Sequence, residues 1–167
     1  TVEEIARTAG ISKGLVCSHF DSKESLLEAV LESAMREWSD VMVQQMRRHA
    51  DSVCDSLALV HRGSVEYARS HPLLASILAQ DPPVLLAGRT ELLTKALDEW
   101  RQRIGSLLRR GIAEGEVRPD LDVEQSAEAI LILNQAFIQL AVRGDGYTAV
   151  TGGLMDAAVE LQLYGVA

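Results

Sequence analysis

The run ISKGLVCSHFDSKESL, Ile11 to Leu26, packs two helix starts into sixteen residues. Ser12 is placed to cap a short helix from Lys13 to Ser18, and Asp21 with Glu24 has the capping-box spacing that opens another. Upstream, Thr1 and Glu4 show the same spacing, so a first helix can begin at once, with Ile5, Ala6 and Ala9 as its small apolar face. Gly10 then supplies a residue free to turn left-handed. Two short helices joined by so tight a turn must cross steeply, which predicts a helix-turn-helix.

The second of these helices is too short to bury much, but it suits the major groove of DNA, where the first residues of a recognition helix lie nearest the bases. Lys13 stands at its tip, and Gly14 allows close backbone approach at a cost of roughly 1 kcal/mol in helix stability relative to alanine. His19 and Lys23 flank the unit where phosphates would pass, and the amides opening the first and third helices add anion sites. Cys17 reads as a half-buried small residue rather than a redox switch, with no second cysteine nearby in the chain.

Outward from this unit the spacing stays helical. Leu27, Leu31, Ala34, Trp38, Val41 and Gln45 trace one face of a long helix that starts after Phe20 and runs to about Arg48. Cys54, Leu57, His61, Val65 and Ala68 trace the next, which must end before Pro72. A short helix from Leu73 to Gln80 precedes a rigid break at Asp81, Pro82 and Pro83. Leu93, Leu97, Trp100, Ile104, Leu108 and Ile112 mark another long helix closed by Gly115. After a loop from Glu116 to Asp122, a helix from Val123 to about Val142 carries Ile130, Leu131, Ile132 and Leu133 in succession and has no wet face at mid-length. A turn at Gly144 to Gly146 leads to a final helix marked by Val150, Leu154, Ala158 and Leu161. The expected fold is all-α, with a DNA-binding helix-turn-helix over 1–25 and a helical effector-binding and dimerisation domain over 26–167.

Composition narrows the function. The 167 residues carry 16 Lys+Arg against 24 Asp+Glu, a formal charge of −8, so any contact with nucleic acid must be local. From Thr1 to Lys23 the charges balance, Arg7, Lys13 and Lys23 against Glu3, Glu4 and Asp21, and the negative excess lies beyond. The two cysteines have no metal-ligand spacing and suggest no disulfide framework, which fits the cytoplasm. No apolar run approaches the roughly 18 residues of a membrane span. Neither a Gly-rich phosphate loop nor HExxH, nucleophile elbow or carboxylate pair appears, so the chain reads as no enzyme and calls for no cofactor or metal.

Over about thirty residues, TVEEIARTAGISKGLVCSHFDSKESLLEAV resembles the DNA-binding segment of the tetracycline-repressor (TetR) family of bacterial regulators. The likeness lies in the ordered TVxxIAxxAGxSKG, the HF pair and the SKExLL that follows, with AEGEVRPDLD the one matching phrase further on. The resemblance implies that Ser12, Lys13, Gly14, Leu15 and Ser18 face bases or nearby phosphates, that Thr1, Cys17, His19 and Lys23 grip the backbone, and that Phe20 is core. Two positions depart from the family: Cys17 stands where tyrosine is usual, and Leu15 where a small polar residue is common, favouring a thymine methyl over a hydrogen bond. The family also places a helix before the position of Thr1, and without it the module lacks part of its core and is expected to bind DNA poorly.

For the body, the resemblance implies a homodimer through the last two helices, on a palindromic operator with half-sites about 34 Å apart or a multiple of it. It also implies a pocket for a small-molecule effector, for which Trp38, Met42, His61, Tyr67, Trp100, Asn134 and Phe137 are the candidates, His61 and Asn134 orienting the ligand. The expected function is a ligand-responsive repressor of transcription. The alternative is a helical dimer that senses a ligand or partner and has lost DNA binding, as Cys17, Leu15 and the missing helix suggest.

Overall fold

The structure is a computed structural model that describes residues 1–79 and 90–142, together with 153, 154, 157 and 161. Every regular element among the described residues is an α-helix. In chain order they are α1 (Val2–Thr8), α2 (Lys13–His19), α3 (Lys23–His49), α4 (Val53–Ser70), α5 (Pro72–Ala79), α6 (Thr90–Glu114) and α7 (Val123–Val142). The break expected at 81–83, the turn at 144–146 and most of the final helix lie outside the described residues.

Short polar side chains start these helices. The Thr1 hydroxyl accepts the Glu4 amide at 3.2 Å and the Ser12 hydroxyl accepts the Leu15 amide at 3.1 Å, each satisfying one of the orphan donors of a first turn. The third start falls one residue later than its spacing predicts. Ser22 and Ser25, not Asp21 and Glu24, form the reciprocal pair: the Ser22 hydroxyl accepts the Ser25 amide at 3.0 Å, and the Ser25 hydroxyl oxygen accepts the Ser22 amide at 3.1 Å. Aspartate and serine cap about equally well, so composition could not choose between the registers. Glu24 is left in the first turn, where the helix dipole favours a negative charge.

Glycines close two of the helices. At Gly10, φ is +70°, and the amides of Gly10 and Ile11 return to the carbonyls of Arg7 and Ala6, a Schellman ending. Gly115, with φ +78°, ends α6 in the same way, with Glu116 bonded back to Gly111. Pro72 occupies the first position of α5, where its missing N–H costs nothing, so α4 stops at Ser70.

The body is built around α4, which packs against α3, α5, α6 and α7. Val53, Leu57, Val60, His61, Ser64, Val65 and Ala68 are all buried along it, while Cys54 is half-buried. On α3 the buried line runs Leu31, Met35, Trp38 and Met42; Ala34 and Val41 lie at its edge and Gln45 is exposed, so the true stripe is turned by about one residue from the expected one. Leu93, Trp100, Ile104 and Leu108 of α6 complete the floor, and each large apolar side chain fully buried this way is worth roughly 1.5–3 kcal/mol. The end of α6 comes close to α4: a Cβ on Gly111 would lie 2.6 Å from Val117 Cγ2 and 2.7 Å from Val53 Cγ2. Nearby, Glu116 Oε2 accepts the Val53 amide at 2.7 Å and caps α4 from across the fold. Arg101 with Glu128, and Arg109 with Glu124, tie α6 to α7 on the outside.

Among the described residues α7 is not covered all round. Ile130 and Leu131 are buried, Leu133 is half-buried, and Ile132 is 54% exposed.

Candidate functional site

The head formed by α1 and α2 keeps almost nothing inside. Ala6 and Val16 are its buried residues, because α2 has room to turn only one side chain inward. Lys13, Gly14, Leu15, Cys17, Ser18 and His19 are all exposed, as is Lys23 at the start of α3, while Phe20 is half-buried. Cys17 therefore differs from its expected half-burial: it faces outward with its neighbours, since Val16 takes the inward position. Leu15, 47% exposed, presents an isobutyl group at the tip with no partner that folding would require.

Hydrogen bonding sorts the polar candidates. Ser12 uses an oxygen lone pair for its cap and keeps its O–H free to donate, whereas Ser18 donates its O–H to the Leu15 carbonyl at 2.8 Å and must rotate to reach a phosphate. The Thr1 hydroxyl donates to Glu4 Oε2 at 2.9 Å. Lys13 Nζ lies 3.6 Å from Glu3 Oε2 on α1, with the two side chains 60% and 76% exposed. Such a pair contributes little and is easily exchanged for a phosphate or a guanine edge. A Cβ on Gly14 would meet only Ser12 Oγ, at 3.9 Å, so nothing within the chain demands glycine there.

In the body the seven candidate ligand residues fall into three groups. Trp38 and Trp100 touch, with ring centroids 4.9 Å apart, and join α3 to α6; Met42 is buried further along α3. His61 is fully buried, its Nδ1–H donating to Asn134 Oδ1 at 3.2 Å, and Phe137 meets the imidazole edge to face at 5.8 Å. Tyr67 stacks on His71 at 3.7 Å. Its hydroxyl holds its proton more tightly than usual, first through burial and then through the charge and hydrogen bond of Glu37.

A cavity of about 880 Å³ opens between α3, α4 and α6, and of those seven residues Trp100 alone lines it. Its apolar wall comes from Met46, Leu57, Val60, Ile104 and Leu107, and its polar rim from Arg47, Glu99, Arg103 and Arg110. The Trp100 indole N–H is buried without a hydrogen-bond partner among the described residues, as is that of Trp38, and each such group costs roughly 1–3 kcal/mol unless something accepts from it. Reasoning from the sequence missed the arginines, although Trp100, Arg103, Leu107 and Arg110 follow the three-and-four spacing of a single helix stripe. Among the described residues no cluster of His, Cys, Asp or Glu could hold a metal, and no helix is long and apolar enough to cross a membrane.

Two family models match this chain: that of the bacterial regulatory proteins of the tetR family over residues 1–30, and that of the tetracyclin repressor-like C-terminal domain over 88–149. The HTH-type transcriptional repressor KstR2 of Mycolicibacterium smegmatis is 32% identical over 126 residues, 74% of this chain and 60% of the relative. The chain thus spans about three fifths of the length of that protein and of its Rhodococcus jostii counterpart. The fatty acid metabolism regulator protein of Bacillus subtilis is 25% identical over 99% of this chain and 84% of its own length. In fold, the chain is similar to the crystal structure of the transcriptional regulator FadR from Bacillus subtilis in complex with stearoyl-CoA, with a TM-score of 0.77, 22% identity, and 100% of this chain and 89% of that one covered. Two models that together match more than half of the residues, one on the exposed head and one on the helical body, show that the chain belongs to the tetracycline-repressor family of bacterial regulators.

Proposed function

We propose that this chain is a ligand-responsive repressor of transcription that binds a palindromic operator as a cytoplasmic homodimer. The observation that carries this reading is the outward face of α2: Lys13, Gly14, Leu15, Ser18 and His19 stand clear of the fold, around one buried valine. Lys13 and the free Ser12 hydroxyl supply donors for a guanine edge or phosphate, and Leu15 supplies an apolar contact for a thymine methyl. Thr1, Cys17, His19 and Lys23 grip the phosphates on either side. Head and body divide the labour at about residue 25.

The apolar surface on α7 supports the dimer. Ile132 is 54% exposed, and Leu154 and Leu161 beyond it are 53% and 75% exposed, a surface that a two-fold mate would cover. Two heads held about one turn of DNA apart then read two half-sites. The FadR structure holds stearoyl-CoA, and the cavity lined by Trp100 is the matching candidate for an effector here. A ligand there shifts α3, which is separated from α2 by three residues, and so lowers operator affinity by favouring a different separation of the heads. His61 and Asn134 satisfy one another in the core and do not line this cavity.

A gel shift of the whole protein on DNA flanking its own gene tests the reading. Specific binding is expected, and Lys13→Ala should weaken it by about 1–3 kcal/mol if the lysine reads a base. Equal affinity for every sequence at every salt concentration would overturn it.

A further inference from the structure

We propose that the cavity between α3, α4 and α6 takes an anionic amphiphile, its apolar chain along the Leu57, Ile104 and Leu107 wall and its negative head at Arg47, Arg103 and Arg110. This rests on the reading of that cavity as the effector site and names the chemistry it selects.

Charge distribution carries the argument. In a chain of formal charge −8, three guanidiniums and the lone carboxylate of Glu99 share this rim. Arg47 has no carboxylate within ion-pair distance among the described residues, and Arg103 sits over the Trp100 ring, 5.9 Å from its centroid. Arg110 pairs only loosely with Glu114, at 3.8 Å between side chains that are 57% and 53% exposed. Guanidinium cannot shed its charge and is built to grip carboxylate or phosphate oxygens in a fork. A neutral apolar ligand would leave these charges idle at its mouth, and a small hydrophilic anion would leave the apolar wall wet. A molecule with both parts satisfies both, and about 880 Å³ falls within the roughly 300–1,000 Å³ of ligand pockets. The Trp100 ring lines the same space and offers a flat apolar face at the junction of head and chain.

The placement also couples ligand to head. Arg47 belongs to the last turns of α3, and Arg103 and Arg110 to α6, so one anion bridges two helices that the Trp38–Trp100 pair also joins. Drawing the end of α3 toward α6 pivots that helix about the tryptophans, and its other end carries α2.

Two sources share this chemistry: the carboxylate of a free fatty acid, and the phosphates of an acyl-coenzyme A. Trp38 and Trp100 are the only two tryptophans of the chain, so intrinsic fluorescence of the whole protein reads the cavity. Laurate, lauroyl-coenzyme A, coenzyme A alone and dodecanol should be titrated below their micelle concentrations, with calorimetry as a second readout. At least one of the two anionic amphiphiles should bind about tenfold more tightly than dodecanol, and the double variant R47Q/R103Q should lose that advantage while binding dodecanol unchanged. Preference for laurate identifies a carboxylate head, and preference for lauroyl-coenzyme A a phosphorylated one. Dodecanol binding as tightly as both anions, coenzyme A alone binding as well as its lauroyl ester, or indifference to R47Q/R103Q would overturn the anion assignment and leave an effector cavity standing. Binding of none of the four would remove the effector reading of this cavity as well.

Discussion

Gly14 and Gly111 both lie inside helices, yet their surroundings are opposite. A Cβ added at Gly111 runs into Val53 and Val117, at 2.7 and 2.6 Å, while one added at Gly14 meets only Ser12 Oγ at 3.9 Å. The body uses its glycine to bring α6 against α4. The head uses its glycine for nothing within the chain, and accepts the cost of a flexible residue in a seven-residue helix. The contrast extends to whole regions: the body is held by burial, the head by caps and a pair of small inward side chains. Residues free of folding duties are the ones left to read something outside.

The sharpest break between the regions should come from their leucines. Leu57→Ala removes a fully buried side chain from the centre of the body and should cost about 2–5 kcal/mol in urea unfolding. Leu15→Ala, at a side chain 47% exposed, should change stability by no more than about 0.5 kcal/mol and weaken operator binding instead. A large stability loss at Leu15 would mean that α2 is built for the fold and not for DNA.

The glycines give the next largest effects. Gly111→Ala must push apart Val53 and Val117, both pinned in the core, and should destabilise by about 1–3 kcal/mol despite alanine's better helix propensity. Gly14→Ala should stabilise the free protein by up to about 1 kcal/mol and lower its affinity for DNA. Thermal unfolding and a gel shift on the same two proteins check both outcomes, and an unchanged operator affinity for Gly14→Ala would remove close backbone approach from the account.

How much of this was legible in the chain follows the same division. Positive-φ turns at Gly10 and Gly115 and the stop before Pro72 could be read directly, because local sterics and short-range hydrogen bonds decide them, whereas the outward face of α2 was implied by the family resemblance and Cys17 on it is more exposed than expected. The third helix start could not be fixed to one residue, since Asp21 and Ser22 are equally good caps and only the path of the chain after Phe20 chooses. The cavity was harder. Polar residues in apolar stripes drew attention to His61 and Asn134, but at the centre of the body such residues satisfy each other and pack solidly. Space opened instead at the border of the stripes, where arginines adjoin leucines. No one-dimensional pattern tells how far α3 stands from α6, because that gap is set by side chains of three helices at once.

The smallest effect tests how tightly the body is closed where Glu116 caps α4. Cys54 is half-buried there, and its thiol is pushed above the ordinary value near 9.0, first by burial and then by the negative charges of Glu116 and Asp55. The folded chain therefore holds this proton more tightly than the unfolded chain does. Stability from this source is whole below pH 9.0 and is lost as pH rises past it toward the folded value, because the unfolded thiol ionises first. Between about pH 8 and pH 9.5 the unfolding free energy of the native chain should fall more steeply than that of Cys54→Ser, which keeps the side chain's size without the titration; Tyr67 titrates alike in both proteins and cancels from the comparison. Parallel profiles would mean that water reaches this seam in the folded state, and the contrast between a sealed body and an open head would then begin further inside the molecule than α4.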